Sequence, residues 1–208
     1  MMKTLFRLVI VAFASLILVG EAAYAKAPAI ALNGEQQAAI GRINAYLNSF
    51  QTLKGDFSQV GSKGNVATGV LYISKPGKLR FDYSGNPTLI ISDGRWLTMM
   101  DRNRMRGDQF PLSATPLRLV VSPQVDLLSE TDVIAMDTKD GLTSVTLQDR
   151  KDSLGGGYIT LIFDEKLKQL SQWTVVDSKN RRTTVQLSHL EYGDKFDPKL
   201  FVTGDLNK

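Results

Sequence analysis

From Leu53 onward the chain reads in period two. Ten apolar-alternating runs occur at Leu53–Gln59, Val66–Ser74, Leu79–Tyr83, Thr88–Ser92, Arg95–Met100, Asp132–Met136, Thr143–Gln148, Tyr158–Phe163, Gln169–Val176 and Thr183–Tyr192. Between them stand turn signals: Ser62-Lys63-Gly64-Asn65, Pro76-Gly77, Ser84-Gly85-Asn86-Pro87, Asp93-Gly94, Asp140-Gly141, Gly155-Gly156-Gly157 and Asp177 to Arg181. Helices do not alternate with these runs, so a parallel βαβ architecture, whose strands need long and usually helical crossovers, is not expected. The pattern therefore predicts about ten or eleven sequential antiparallel strands in one mainly β chain with a few helices, an α+β fold. A sheet of that width must curl, into an open or a closed barrel.

Two stretches interrupt the alternation. Ile40, Ile43, Leu47 and Phe50 fall at spacings of three and four behind Asn33, which predicts an amphipathic helix with Asn33 as cap, preceded by a mobile arm over Lys26 to Leu32. Between Leu112 and Leu128, Thr115 and Pro116 read as the cap and first turn of a short helix carrying Leu117, Leu119, Val120 and Val121, with a further turn near Val125 to Leu128. Ahead of all this, Lys3 and Arg7 precede a run of 12 apolar or small residues, Leu8 to Val19, and Ala23-Tyr24-Ala25 forms a small-x-small site. That is the pattern of a signal peptide, 1–25, cleaved after Ala25, leaving 26–208 as a single domain. The run is shorter than the roughly 20 residues a spanning helix needs.

Chemistry-bearing residues are sparse. The chain has no Cys, which removes thiol nucleophiles and cysteine metal sites, and one histidine, His189, in a strand pattern with no partner legible beside it. Asp137, Asp140, Asp149 and Asp152 lie at expected turns, where Asp bonds its own backbone, and have no metal-loop spacing. The triple glycine lacks the Lys-Ser or Lys-Thr of a phosphate loop. Arg102, Arg104 and Arg106 alternate as on a solvated edge. With 25 basic against 21 acidic residues, the charge does not argue for nucleic acid. No catalytic residue, metal or cofactor is expected.

The informative residues are apolar. Leu79, Phe81 and Tyr83 share one strand face while Lys78, Arg80 and Asp82 share the other. Phe57, Leu71, Ile73, Leu89, Ile91, Leu97, Met99 and Trp173 add large side chains from other runs. A wide curled sheet encloses more space than such residues fill, so these eleven are the expected lining of an apolar cavity, with Leu117, Leu119, Val120 and Val121 as its cover.

The segments Thr52 to Gln59 and Gly69 to Tyr83 resemble the opening of the outer-membrane lipoprotein carrier protein (LolA) family. Ile90 to Gly94, Ala114 to Leu117 and Phe196 to Phe201 resemble its later landmarks, in the same order. The resemblance implies an unclosed antiparallel β-barrel of about eleven strands with an α-helical lid over a hydrophobic cavity for acyl chains. It implies a monomeric periplasmic chaperone whose partners are acylated lipoproteins and an inner-membrane lipoprotein-releasing ABC transporter, and it leaves open an outer-membrane acceptor. In many relatives an Arg precedes the Pro of the Lys-Pro turn and ties the lid shut. Lys75 stands there and is the implied latch, and Phe81 replaces a Trp common in the family. A carrier or sensor of free lipid or another apolar ligand would use the same fold.

Overall fold

The computed structural model describes residues 27–104, 106–150 and 157–203, so the expected signal segment and Gly155 and Gly156 lie outside it. Eleven strands form one antiparallel sheet: β1 (Thr52–Val60), β2 (Val66–Ser74), β3 (Lys78–Tyr83), β4 (Thr88–Asp93), β5 (Trp96–Asp101), β6 (Arg106–Pro111), β7 (Thr131–Lys139), β8 (Leu142–Asp149), β9 (Tyr158–Asp164), β10 (Gln169–Val176) and β11 (Arg182–Tyr192). Their spatial order is β6-β5-β4-β3-β2-β1-β11-β10-β9-β8-β7, with β1 joining the two halves through β11. Strands β6 and β7 end the order unpaired with each other, so the barrel is unclosed.

The ten expected runs match ten strands within a few residues. The eleventh, β6, carries no apolar alternation, and all six of its residues are exposed. Arg102 and Arg104 fall in the turn before it rather than along it.

Helix α1 (Gly34–Asn48) starts where Asn33 predicts: Gln36 N donates to Asn33 Oδ1 and Asn33 N to Gln36 Oε1, both at 2.9 Å, a reciprocal box that satisfies two otherwise unpaired donors. Its apolar stripe, Ala39, Ile40, Ile43 and Leu47, is buried against the sheet. The arm before it is less free than its composition suggests, because Ile30 N donates to Val133 O of β7 at 2.8 Å.

The connection from β6 to β7 crosses the open side. It holds a 3₁₀ turn (Leu112–Ala114) and two single-turn helices, α2 (Arg118–Val121) and α3 (Leu127–Glu130). Thr115 does not cap α2. Its Oγ1 donates back to Leu112 O at 2.9 Å, closing the 3₁₀ turn, and Leu117 holds the N-cap position. A Thr hydroxyl serves either neighbour equally well, so sequence alone does not choose.

Register sorts the side chains into two faces. Leu53, Phe57, Leu71, Ile73, Leu79, Phe81, Leu161, Trp173 and Val185 point to the inner face, together with Val133, Val145 and Leu147. They share one core with α1, α2 and α3. Gly69 lies opposite Phe57 on this face, and a Cβ there would meet Asp82 O at 2.1 Å and the Phe57 ring at 2.8 Å. Phe57 therefore lies over a backbone that only glycine leaves bare.

Candidate functional site

The inner face is apolar and aromatic at its centre. The Phe57 ring centroid lies 5.1 Å from those of Phe81 and Tyr83, both edge to face, and Phe81 lies 6.2 Å from Trp173. Tyr83 donates its hydroxyl to Gln59 Oε1 at 2.8 Å, and burial pushes its ionisation up to about 12, so it stays neutral. Nothing charged projects among these rings in the described residues; binding here would rest on apolar burial.

Most expected lining residues converge: Phe57, Leu71, Ile73, Leu79, Phe81, Tyr83, Leu97 and Trp173 belong to the same core as Leu119, Val120 and Val121, with Leu117 half-buried against it. Three do not. Ile90 pairs with Phe81 and Ser92 with Leu79, which turns Leu89 and Ile91 to the outer face. There they form a separate cluster with Met100. The C-terminal 3₁₀ turn Pro198–Phe201 packs against β3 and β4 on this side, with Arg80 Nη1 donating to Leu200 O at 3.1 Å and Phe196 lying 5.5 Å from Tyr72. Leu89, Ile90 and Ile91 are all apolar because both faces of β4 are covered, so alternation could not set their phase. Met99 pairs with Ile90 and Asp108 beside the free edge and is 44% exposed, at the margin rather than inside.

The cover is held by a few polar ties. Lys75, 8% exposed, does not reach α2. Its ammonium donates to Leu47 O in the last turn of α1 and stands 4.4 Å from the centroid of the Phe50 ring. The last carbonyls of a helix have no internal partner and carry its negative pole, and α1 has no basic residue in its own last turn, so a cation from the sheet fills that role. Burial pushes the Lys75 ammonium down to about 8.

The lid proper is fastened elsewhere. Gly77 N donates to Val121 O at 2.8 Å, and an added Cβ at Gly77, where φ is +74°, would stand 2.7 Å from Gly94 Cα. Asn48 makes a reciprocal pair with Val125, at 2.9 Å to its carbonyl and 2.8 Å from its amide, and Leu127 N donates to Asn44 Oδ1 at 3.2 Å. Arg118 of α2 bonds Glu130 of α3 and lies 3.3 Å from the buried Asp149 of β8. Asn44 and Asn48 were legible only as polar neighbours of the α1 stripe; their four-residue spacing, facing a lid of unsatisfied backbone, is the signal that was available.

His189 sits exposed at a bulge of β11, with φ of 51° and Nδ1 2.9 Å from Asp56 Oδ2. No group of three His, Cys, Asp or Glu among the described residues is placed to hold a metal ion, and no helix among them is long and apolar enough to cross a membrane.

The family described as outer membrane lipoprotein carrier protein LolA matches residues 48–203. An outer-membrane lipoprotein carrier protein of Methylococcus capsulatus is 25% identical over 170 residues, 77% of this chain and 80% of that protein. One from Pseudomonas aeruginosa is 26% identical over 181 residues, 82% and 85% of the two chains. A solved putative outer membrane lipoprotein-sorting protein domain from Vibrio parahaemolyticus superposes with a TM-score of 0.49 at 8% identity, over 85% of this chain and 100% of that one.

Proposed function

The chain belongs to the outer membrane lipoprotein carrier protein LolA family, and from that premise we propose that it is a periplasmic chaperone, exported with cleavage after Ala25, that takes the acyl chains of lipoproteins released from the inner membrane and carries them to the outer membrane. One observation carries the reading: an aromatic and aliphatic sheet face is covered by α1 and the single-turn helices α2 and α3, held through single side chains and backbone bonds, not by a second sheet. Such a cover can leave without unfolding the sheet.

Apolar burial supplies the binding energy. Burial yields ~0.8 kcal/mol per CH₂, so a long acyl chain gains on the order of 10 kcal/mol by leaving water. The binding residues are Phe57, Leu71, Ile73, Leu79, Phe81, Tyr83, Leu97 and Trp173, with Leu117, Leu119, Val120 and Val121 on the lid. Lys75 is a positioning residue that holds α1 over them. Loading by an inner-membrane ABC transporter would supply the energy for transfer.

A photoreactive residue at position 81 should crosslink to lipoprotein in cells, and one at position 80, on the outer face, should not. Mass spectrometry of material bound to the protein purified from periplasm should find acylated peptides. Phospholipid alone in that material would replace lipoprotein cargo with free lipid.

A further inference from the structure

The outer face of the sheet carries a groove of its own, behind the apolar core. It encloses about 680 Å³ across the middle strands, inside the range of roughly 300 to 1,000 Å³ typical of ligand sites. Register builds it. Thr68, Ser58, Gln186, Gln172 and Ile162 stand directly opposite one another on β2, β1, β11, β10 and β9. That row is roughly 19 Å long at ~4.8 Å per strand. Val70, Asp56 and Ser188 form a shorter row beside it. Because Phe57, Trp173 and Val185 face inward, alternation turns both rows outward.

The polar groups of these rows are left unpaired. Elsewhere on the same face hydroxyls bond across strands, Thr174 to Thr184 at 2.9 Å and Thr146 to Thr160 at 3.0 Å. Ser58, Thr68, Gln172, Gln186 and Ser188 make no side-chain hydrogen bond among the described residues, although Ser58 and Gln172 are half-buried. Asp56 is the one charged residue among the described residues lining the groove, and the bulge of β11 is shaped around it. His189 and Leu190 both lie between the partners of Asp56 and Lys54, His189 takes a φ of 51°, and its Nδ1 stands 2.9 Å from Asp56 Oδ2. Gly55 makes room for this, since a Cβ there would meet Leu190 Cδ2 at 2.4 Å. Bulges re-aim side chains beside functional sites, and a non-glycine residue in left-handed backbone persists only where its surroundings hold it there. The ring fixes one carboxylate oxygen and leaves Oδ1 to accept from a ligand.

These features select a ligand by exclusion and by fit. All five strands have neighbours on both sides, so their backbone groups are engaged in the ladder and an added strand finds nothing to pair with. An anion would meet a carboxylate and no cation in the lining. An acyl chain would cover amides and hydroxyls without giving them partners. Ser and Thr hydroxyls and Gln carboxamides both donate and accept, as sugar hydroxyls do. A carboxamide also complements the N–H and C=O of an acetamido group, whose methyl Val70 or Ile162 can receive.

We propose that the outer groove binds a neutral oligosaccharide bearing acetamido groups, laid along the row from Thr68 to Ile162. Gln172 and Gln186 meet its amides, and Asp56 accepts from a hydroxyl. This goes beyond the carrier reading and does not depend on it, because acyl chains and glycan would take opposite faces of the same strands.

The test is an NMR titration of the uniformly ¹⁵N-labelled protein with chitotriose, with cellotriose, which lacks acetamido groups, and with the anionic trigalacturonate. Chitotriose should give saturable shifts at the amides of Ser58, Gln172, Gln186 and Ser188, cellotriose should bind more weakly, and trigalacturonate should not saturate. Gln172→Ala and Gln186→Ala should each weaken chitotriose by roughly three- to tenfold, the loss of one hydrogen-bonding partner. Both side chains reach solvent, and undiminished spectral dispersion will show that the variants fold. No saturation with chitotriose, cellotriose or trigalacturonate bound as tightly, shifts centred off these strands, or unchanged affinity in both variants would overturn the proposal. So would tighter binding of acetyl-Gly-Ser-Gly-amide, since the occupant would then be a peptide. Uptake of a fluorescent fatty acid by the same samples reads the inner face separately: failure there would refute the carrier reading and leave the glycan result standing.

Discussion

Replacing Lys75 by Met should change stability in a direction that depends on pH. The native state holds this ammonium nearly out of water, and burial brings its pKa from 10.5 to about 8. That difference corresponds to about 3 kcal/mol against the charged form in the folded protein, at about 1.36 kcal/mol per pH unit. Between pH 8 and 10.5 the unfolded chain binds a proton that the native chain does not, so wild-type stability should rise with pH across that window by up to about 3 kcal/mol. Met at 75 removes this titration and leaves Leu47 O without its donor, a loss of about 1 to 3 kcal/mol for a buried acceptor. Above pH 10 the variant should therefore be less stable by about 1 to 3 kcal/mol. At pH 7 the relief from burying an ammonium offsets that loss, and the variant should be level with wild type or more stable by up to about 2 kcal/mol. Urea unfolding of both proteins at pH 7, 8, 9 and 10 measures the difference, and ionisation of Tyr46 and Tyr83, which burial pushes up in both proteins, cancels in the subtraction. A difference independent of pH, or one in which wild type loses ground as pH rises, would refute the reasoning and show that the bonds to Leu47 and Phe50 hold the ammonium more strongly than burial opposes it.

Three further outcomes follow from the geometry. Phe81→Ala should cost about 3 to 5 kcal/mol in chemical denaturation, because it removes a ring packed on both Phe57 and Trp173. Asn48→Ala should lower stability by about 1 to 3 kcal/mol and speed amide exchange at Val125, whose donor and acceptor it leaves unpaired. A photoreactive residue at Leu89 or Ile91 should fail to capture acyl cargo; capture from position 89 would reverse the assignment of faces.

Most of the sheet was legible because its alternation and turn chemistry agree locally: in β3, Leu79, Phe81 and Tyr83 face in and Lys78, Arg80 and Asp82 face out, as spaced. The outer charges confirm the phase, since Asp82 bonds Arg80 at 2.9 Å and Arg102. Burial raises the Asp82 carboxyl, but those guanidinium bonds outweigh it and hold the group below its usual range. Where both faces are apolar the signal fails, and β4 is the case: its phase is set by the distant Pro198–Phe201 turn, which no local window contains. The edge strand β6 escaped for the opposite reason, having no buried face. Spacing puts Lys75 at the β2–β3 turn without saying which carbonyl lies above it. That depends on where α1 ends, and Leu47 O is offered only because Asn48 closes the helix.

The division of labour among these ties bears on release. The Lys75 bond and the Asn48 pair fasten α1 to the sheet and the lid to α1, while Gly77 N fastens the lid to the β2–β3 turn. Each such bond contributes roughly 0.5 to 1.5 kcal/mol net, more for the ammonium, so opening the polar fastenings costs only a few kcal/mol. The larger cost is exposing Leu119, Val120, Val121 and the rings beneath them to water, and an acyl chain that replaces the lid's contacts restores that burial. On the proposed function the cover and the cargo compete for the same apolar face, so the closed, empty state opposes loading by about the free energy of its own packing. Affinity for cargo is then set by the difference between two burials, not by the gain of one, which keeps a ~10 kcal/mol acyl interaction within reach of a transfer step. Polar substitution within the lid, Val120→Thr for example, should weaken the cover more than the cargo contact. The measurable consequence is tighter retention of a fluorescent fatty acid alongside lower stability of the empty protein; a parallel loss of both would mean that lid and cargo pack together rather than in exchange.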